Sequence, residues 1–280
     1  MSAESSGEPS GGAAAGAERA RLLRLMDLNF VEMYRQHVRH VSGGEVHDYE
    51  SLTVIHGPGG AAIHNPVMVH GPTTAARVLD VVERNCRALG RKHCIFLRAH
   101  EDGHLEPELE QGGYRFVYAT PAMCLTRERF RSVPPESVGV EIRPVGSEDE
   151  VQLFGERVAE AFAIYGTKPA TIRSFFERLE GVANPTVQAY IGWQAGEPVT
   201  GAILYASHGV AGVGWVWTRP THFGRRLAEA ATSAVLQDGF TRGLRIANLQ
   251  ASPLGEKVYA RMGFDTPTAY RTLLPVEMLR

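Results

Sequence analysis

The sequence repeats itself once at long range. Pro72-Thr73-Thr74, ahead of one long helical pattern, matches Pro220-Thr221-His222 ahead of another at an offset of 148, and Leu79 matches Leu227 at the same offset. Leu109-Glu110-Gln111-Gly112-Gly113-Tyr114 matches Tyr259-Ala260-Arg261-Met262-Gly263-Phe264 at an offset of 150. A duplicated segment folds the same way twice, so a 280-residue chain with this register divides into two units of similar size, each within the usual domain range of about 50–250 residues. The expected units are 19–130 and 138–280. The polar, proline-containing stretch Arg127 to Pro135 is the linker between them. Residues 1–18, built from small and acidic side chains without apolar periodicity, read as a disordered tail.

Within each unit the pattern alternates between strand and helix. Apolar residues at Leu22, Leu25, Met26, Phe30, Met33 and Tyr34 predict an amphipathic helix over Ala17 to Val41. Strands are expected at Ser51–Ile55, Ala61–Val69, Cys94–Leu97 and Phe116–Leu125, with helices at Ala75–Leu89, capped by Gly90, and at Leu105–Gln111. The second unit opens with a strand, Gly139–Pro144, and an acidic cap, Ser147-Glu148-Asp149-Glu150, before a helix ending near Tyr165. A short helix, Thr171–Leu179, follows. Val187–Trp193, Val199–Ser207 and Val210–Thr218 then alternate between turns as an antiparallel meander. A long helix, Arg225–Asp238, is expected to stop at Gly239. Strand Leu244–Gln250, helix Ser252–Arg261 and strand Tyr270–Leu274 complete an α+β mixed fold: two tandem units, each a twisted, mostly antiparallel sheet with flanking helices.

Charge and cysteine content exclude several classes of function. With 29 basic and 31 acidic side chains the formal net charge is −2, which leaves no footprint for nucleic acid or an anionic membrane surface. No window approaches the ~18 consecutive apolar residues of a membrane span, and the N-terminus lacks the basic and apolar regions of a signal peptide. Cys86, Cys94 and Cys124 form no Cys-x-x-Cys pair, so neither a disulfide framework nor a zinc site is expected, and a reducing cytoplasm fits. His37, His40 and His47 lack metal-ligand spacing. His56 and His64 flank Gly57-Pro58-Gly59-Gly60, which reads as a solvated hairpin, and no metal is expected.

The chemistry concentrates after the meander. Pro220 to Ala228 joins a strand to a helix through Gly224, flanked by Arg219, Arg225 and Arg226. A run of backbone N–H groups at such a helix start suits a diphosphate. The stretch Val216-Trp217-Thr218-Arg219-Pro220-Thr221-His222-Phe223-Gly224-Arg225-Arg226-Leu227-Ala228, followed by Leu249-Gln250-Ala251-Ser252 and on through Tyr259 to Gly263-Phe264, resembles the GNAT superfamily of acyl-CoA-dependent N-acetyltransferases. The resemblance covers Val140 to Leu274 well and, through the repeat, Leu22 to Leu125 weakly.

The resemblance implies an acyl-CoA, most simply acetyl-CoA, lying between strands Val210–Thr218 and Leu244–Gln250. Val216, Trp217 and Thr218 would face the pantetheine arm, and Phe223, Gly224, Arg225, Arg226, Leu227 and Ala228 would hold the pyrophosphate. Ser252 stands where the family commonly has Asn; by its own chemistry it is an N-cap ahead of Pro253. Tyr259 would donate a proton or hydrogen bond to the departing thiolate. The matching position in the first unit is Leu109, which has no proton to give, so that unit reads as degenerate. The phosphate loop departs from the family pattern at Phe223 and at Arg226, which replaces a glycine. His208, Glu160 and Tyr165 are weak candidates for a base. The expected reaction is acyl transfer to a small-molecule primary amine, without nucleic-acid or membrane partners; the alternative is a non-catalytic acyl-CoA-binding or regulatory module. A protein or peptide amine is a third acceptor, which the near-neutral charge does not favour.

Overall fold

The computed structural model describes residues 11–279. In chain order the first half comprises α1 (Gly11–Arg39), β1 (Glu45–Asp48), β2 (Leu52–His56), β3 (Pro66–Val69), α2 (Ala75–Val82), β4 (Cys94–Arg98), α3 (Glu106–Gln111) and β5 (Tyr114–Thr126). The second half comprises β6 (Glu141–Pro144), α4 (Glu148–Phe162), α5 (Pro169–Arg173), β7 (Val187–Gln194), β8 (Glu197–Ser207), β9 (Val210–Thr218), α6 (Leu227–Thr241), β10 (Ile246–Gln250), α7 (Glu256–Arg261) and β11 (Asp265–Pro275). The fold is α+β with a mostly antiparallel sheet.

All eleven strands join one sheet in the order β1-β2-β3-β4-β11-β5-β10-β9-β8-β7-β6. The halves mirror each other around its centre. Each contains one parallel pair, β3 with β4 and β9 with β10. Each also gives its last strand to the other half: β11 pairs with β4 and β5 pairs with β10, while β5 and β11 lie side by side. This exchange is invisible to local pattern, because periodicity identifies a strand but not its neighbour.

Side-chain alternation sorts the two faces. On β4, Cys94 and Phe96 join a core shared by α1, α4 and both halves, whereas Ile95 and Leu97 join the core under α2 and α3. On β8, Ile203 and Tyr205 belong to the shared core, and Ala202 and Leu204 to the core beneath α6. The first helix therefore packs across the second half: Asn29 Nδ2 donates to the Tyr205 carbonyl at 3.1 Å, and Asn248 Nδ2 donates to the Met26 carbonyl at 3.2 Å.

Several expectations are corrected. Helix α1 covers Gly11–Arg39, so residues 11–18 belong to a helix rather than to a tail; residues 1–10 lie outside the described residues. The α-helical part of Ala75–Leu89 ends at Val82 and continues as a π-turn over Glu83–Arg87. Strand β1 was not expected from pattern. Gly239 does not stop α6, which runs to Thr241; the positive φ that follows the helix belongs to Gly243 at +88°. Gly239 instead lets the helix approach the sheet, since a Cβ there would lie 2.8 Å from Ala211 Cβ. Leu79 and Leu227 are not equivalent, being the fifth and first residues of their helices, because the loop 219–226 is longer than its counterpart 70–74. Leu109 and Tyr259 do correspond: each is the fourth residue of its short helix.

Candidate active site

The parallel ladder between β9 and β10 is short. It pairs Val210 with Ile246, Ala211 with Ala247 and Gly212 with Asn248, and then ends. Past that point β10 stays on β5, pairing Leu249 with Met123 and Gln250 with Ala122, while β9 stays on β8. The two strands part, and the edge of β9 from Val213 to Thr218 faces the opening without a β10 partner.

A bulge in β9 sits at the mouth of this wedge. The register with β8 shifts between Gly201 and Ile203, and Trp215 adopts a left-handed φ of +48°. For a bulky side chain this conformation costs roughly 1–2 kcal/mol and persists when surrounding contacts enforce it. The contacts are visible: Trp215 Nε1–H donates to His37 Nε2 at 3.0 Å, and its ring lies against Phe162, Phe175 and Phe176. Behind it, the indole of Trp217 covers Gly201, where a Cβ would lie 2.5 Å from the Trp217 ring nitrogen.

The wedge opens into a cavity of about 1120 Å³, whose walls include Val216 to Thr218, Phe223 to Glu229, Ser252 and Tyr259. The structure thus brings the expected site residues to one cavity. At its far end the first turn of α6 presents N–H groups with no partner one turn back in the helix. Gly224 at φ +76° and Arg226 at +60° turn the chain into the helix. Arg226 thus adopts the backbone that a glycine would adopt without strain. Its Nε donates to Glu229 Oε2 at 2.6 Å, and Arg261 Nε donates to Glu229 Oε1 at 3.0 Å. Glu229 is 1% exposed, so two guanidinium groups offset a buried carboxylate that would otherwise repel an anion at this turn. Arg225 is exposed and Phe223 stands at the rim, 53% exposed.

Tyr259 is buried, and its ring meets Phe264 edge-on at 5.8 Å. Burial first, then the nearby Tyr165, pushes its hydroxyl well above the ordinary range, so it is a protonated donor at neutral pH. Ser252 Oγ accepts from the Gly255 amide at 3.2 Å, capping a turn ahead of α7, which itself starts only at Glu256. Ser252 is therefore not the N-cap of that α-helix, contrary to expectation. Of the candidate bases, Tyr165 lines the cavity. Glu160 is taken up by Arg157 at 2.5 Å and Arg219 at 3.9 Å. His208 sits in the β8–β9 turn, at the opposite end of β9 from Trp215 and Thr218.

Two histidines were misjudged from the sequence. His56 is 0% and His64 9% exposed, so neither belongs to a solvated hairpin. His64 lies in a 3₁₀ turn, Ala62–His64, against Phe175 at 4.8 Å, and with His37 it lines the cavity. Burial lowers His64 to about 4; burial, with His64 nearby, lowers His37 to about 3. His47 and His56 also converge on Glu45, at 3.1 and 3.4 Å from its Oε2, with Arg91 on the other carboxylate oxygen at 3.2 Å. Residue spacing concealed that cluster because it forms across the β1–β2 ladder.

This architecture is that of the GCN5-related N-acetyltransferases, GNAT proteins. A GCN5-related N-acetyltransferase from Kribbella flavida superposes with a TM-score of 0.68 at 18% identity, over 89% of this chain and 95% of that one. A GCN5-related N-acetyltransferase from Sphaerobacter thermophilus gives 0.55 at 19% identity, over 82% and 75%. A tandem GNAT protein from the clavulanic acid biosynthesis pathway gives 0.54 at 15% identity, over 79% and 77%. At these identities the likeness establishes the fold. No family model and no curated protein matches the sequence. Among the described residues no helix is long and apolar enough to cross a membrane.

Proposed function

We propose that the chain is an acyl-CoA-dependent N-acyltransferase that moves an acyl group, most simply acetyl, from CoA to a primary amine of a small molecule in the cytoplasm. One observation carries the reading: the splayed edge of β9, the first turn of α6 and Tyr259 all line one cavity. The two units, 19–130 and 138–280, divide the work. The second holds the acyl-CoA, whereas in the first Leu109 is packed in the core and supplies no donor.

The chain's residues have distinct tasks in this reading. The free edge around Val216 and Thr218 takes the pantetheine arm as a further strand would. The turn from Phe223 to Ala228 receives the pyrophosphate, with Arg225 exposed beside it and Ser252 on the opposite wall. The amine attacks the thioester carbonyl, and a backbone amide near Trp217 stabilises the charge that develops on its oxygen. As the C–S bond breaks, Tyr259 hydrogen-bonds or protonates the sulfur, while the amine gives up one proton; amine and acyl-CoA become amide and free CoA thiol. Arg226 keeps the glycine-like turn and pairs with Glu229, which supports acyl-CoA binding in either reading; Tyr259, a donor that a purely regulatory module would not need, favours transfer. Calorimetry with acetyl-CoA and thiol release with an amine panel test it together. Binding with 1:1 stoichiometry and amine-dependent thiol release are expected; binding without thiol release from any amine would leave the regulatory module instead.

A further inference from the structure

The cavity does not end at the thioester position. Around Trp215 it continues into a chamber walled by residues of both halves. Tyr34 and His37 come from α1, Ile63 and His64 from the turn before β3, Phe175 from the segment after α5, and Trp215 from the bulge. The rings contact one another: His37 with Tyr34 at 5.3 Å, His37 with Trp215 at 5.3 Å, and Phe175 with Trp215 at 5.7 Å.

This chamber carries no formal charge. Among the described residues, the carboxylates lining the cavity are Glu229 and Glu256, and both lie at the α6 and α7 end. His37 Nε2 accepts the Trp215 N–H, so that nitrogen bears no proton. An ammonium group entering here would lose its water without gaining a carboxylate, a strongly unfavourable exchange. The free amine, which is also the nucleophile, escapes that penalty. A molecule with further ammonium groups or many hydroxyls would strand them against aromatic rings.

We infer that this chamber is the acceptor subsite, and that it takes a primary amine carried on an uncharged aromatic or apolar skeleton. The inference rests on the N-acyltransferase reading for the role of the amine, but the chamber's preference is measurable without turnover. The first half, degenerate as a catalytic unit, is then the specificity wall.

The probes are 2-phenylethylamine and isoamylamine against putrescine, spermidine and kanamycin, with the full chain. Calorimetry at fixed pH is expected to show saturable binding of 2-phenylethylamine at least tenfold tighter than of spermidine. With acetyl-CoA, thiol release is expected at a kcat/KM at least a hundredfold higher for the apolar amines. Ile63→Trp fills the chamber from the first half and should weaken 2-phenylethylamine binding at least tenfold with acetyl-CoA binding unchanged; Ile63→Phe, a smaller insertion, should give an intermediate loss. Saturable amine binding without thiol release would sink the catalytic reading and leave the chamber's preference for apolar amines standing. Turnover of putrescine, spermidine or kanamycin at or above the apolar amines would overturn the assignment and leave the catalytic reading intact. Three further results also overturn it: no measurable 2-phenylethylamine binding, displacement of that amine by decanoyl-CoA but not acetyl-CoA, and an Ile63→Trp protein that folds and binds the amine as before.

Discussion

Replacing Tyr259 by Phe removes one oxygen from the cavity wall and leaves the ring in place. General acid assistance is worth about 10²–10⁴-fold in rate. The structure selects the lower end. Burial holds the Tyr259 hydroxyl well above the ordinary phenol range, whereas an alkyl thiol such as that of Cys ionises near ~8.5. A donor so much weaker than the thiol it serves gives a strong hydrogen bond more readily than a completed proton transfer. The expected loss is therefore about a hundredfold in kcat, near ~2.7 kcal/mol of transition-state stabilisation. Because Phe keeps the packing against Phe264, the KM for acetyl-CoA and the melting temperature should move little. The assay is initial-rate thiol release at saturating acetyl-CoA and amine, with thermal melting as the control. A Tyr259→Phe enzyme with kcat within threefold of the parent, and with chemistry rather than product release limiting the rate, would refute the role given to the hydroxyl.

Two further outcomes follow from packing and burial. Gly239→Ala gains up to ~1 kcal/mol of helix propensity, yet its Cβ would sit 2.8 Å from Ala211 Cβ in a core where overpacking costs about 1–3 kcal/mol; a net loss, seen as a lower urea midpoint, is expected. Burial lowers His37 to about 3 and His64 to about 4, well below the ordinary histidine value near 6.5. A depressed histidine stabilises the fold fully above its unfolded pKa and loses that contribution as pH falls. Stability should therefore decline from pH 6.5 downward, by up to about 1.4 kcal/mol per unit for each group. In His64→Gln the decline between pH 6.5 and about 4 should be shallower; an unchanged slope in urea titrations would remove His64 from the account.

Ser147 caps α4 as its local sequence predicts, its Oγ accepting from the Glu150 amide at 3.3 Å, because a cap is a contact three residues long. The turn from Thr218 to Leu227 was legible for the same reason, while the glycine that Arg226 replaces was implied by the resemblance to the GNAT superfamily. Gly239 was misread because propensity counts a helical glycine as a stop, while here a residue 28 positions earlier, Ala211, requires it. His64 was misread because its surroundings come from Phe175, on the other half of the chain.

Local residue order thus determined the α+β class, the duplicated pattern, the phosphate-type turn and the contrast between Tyr259 and Leu109, all of which depend on neighbours within a turn or a strand. Tertiary structure decided the rest. The exchange of β5 and β11, the docking of α1 on β8 and β9, the left-handed Trp215 and the uncharged chamber each require groups more than a hundred residues apart to meet. Hydrophobic alternation specifies that a strand has a buried face but is silent on which face, strand or helix will cover it. The two halves were therefore readable separately, while the cavity they build together was not.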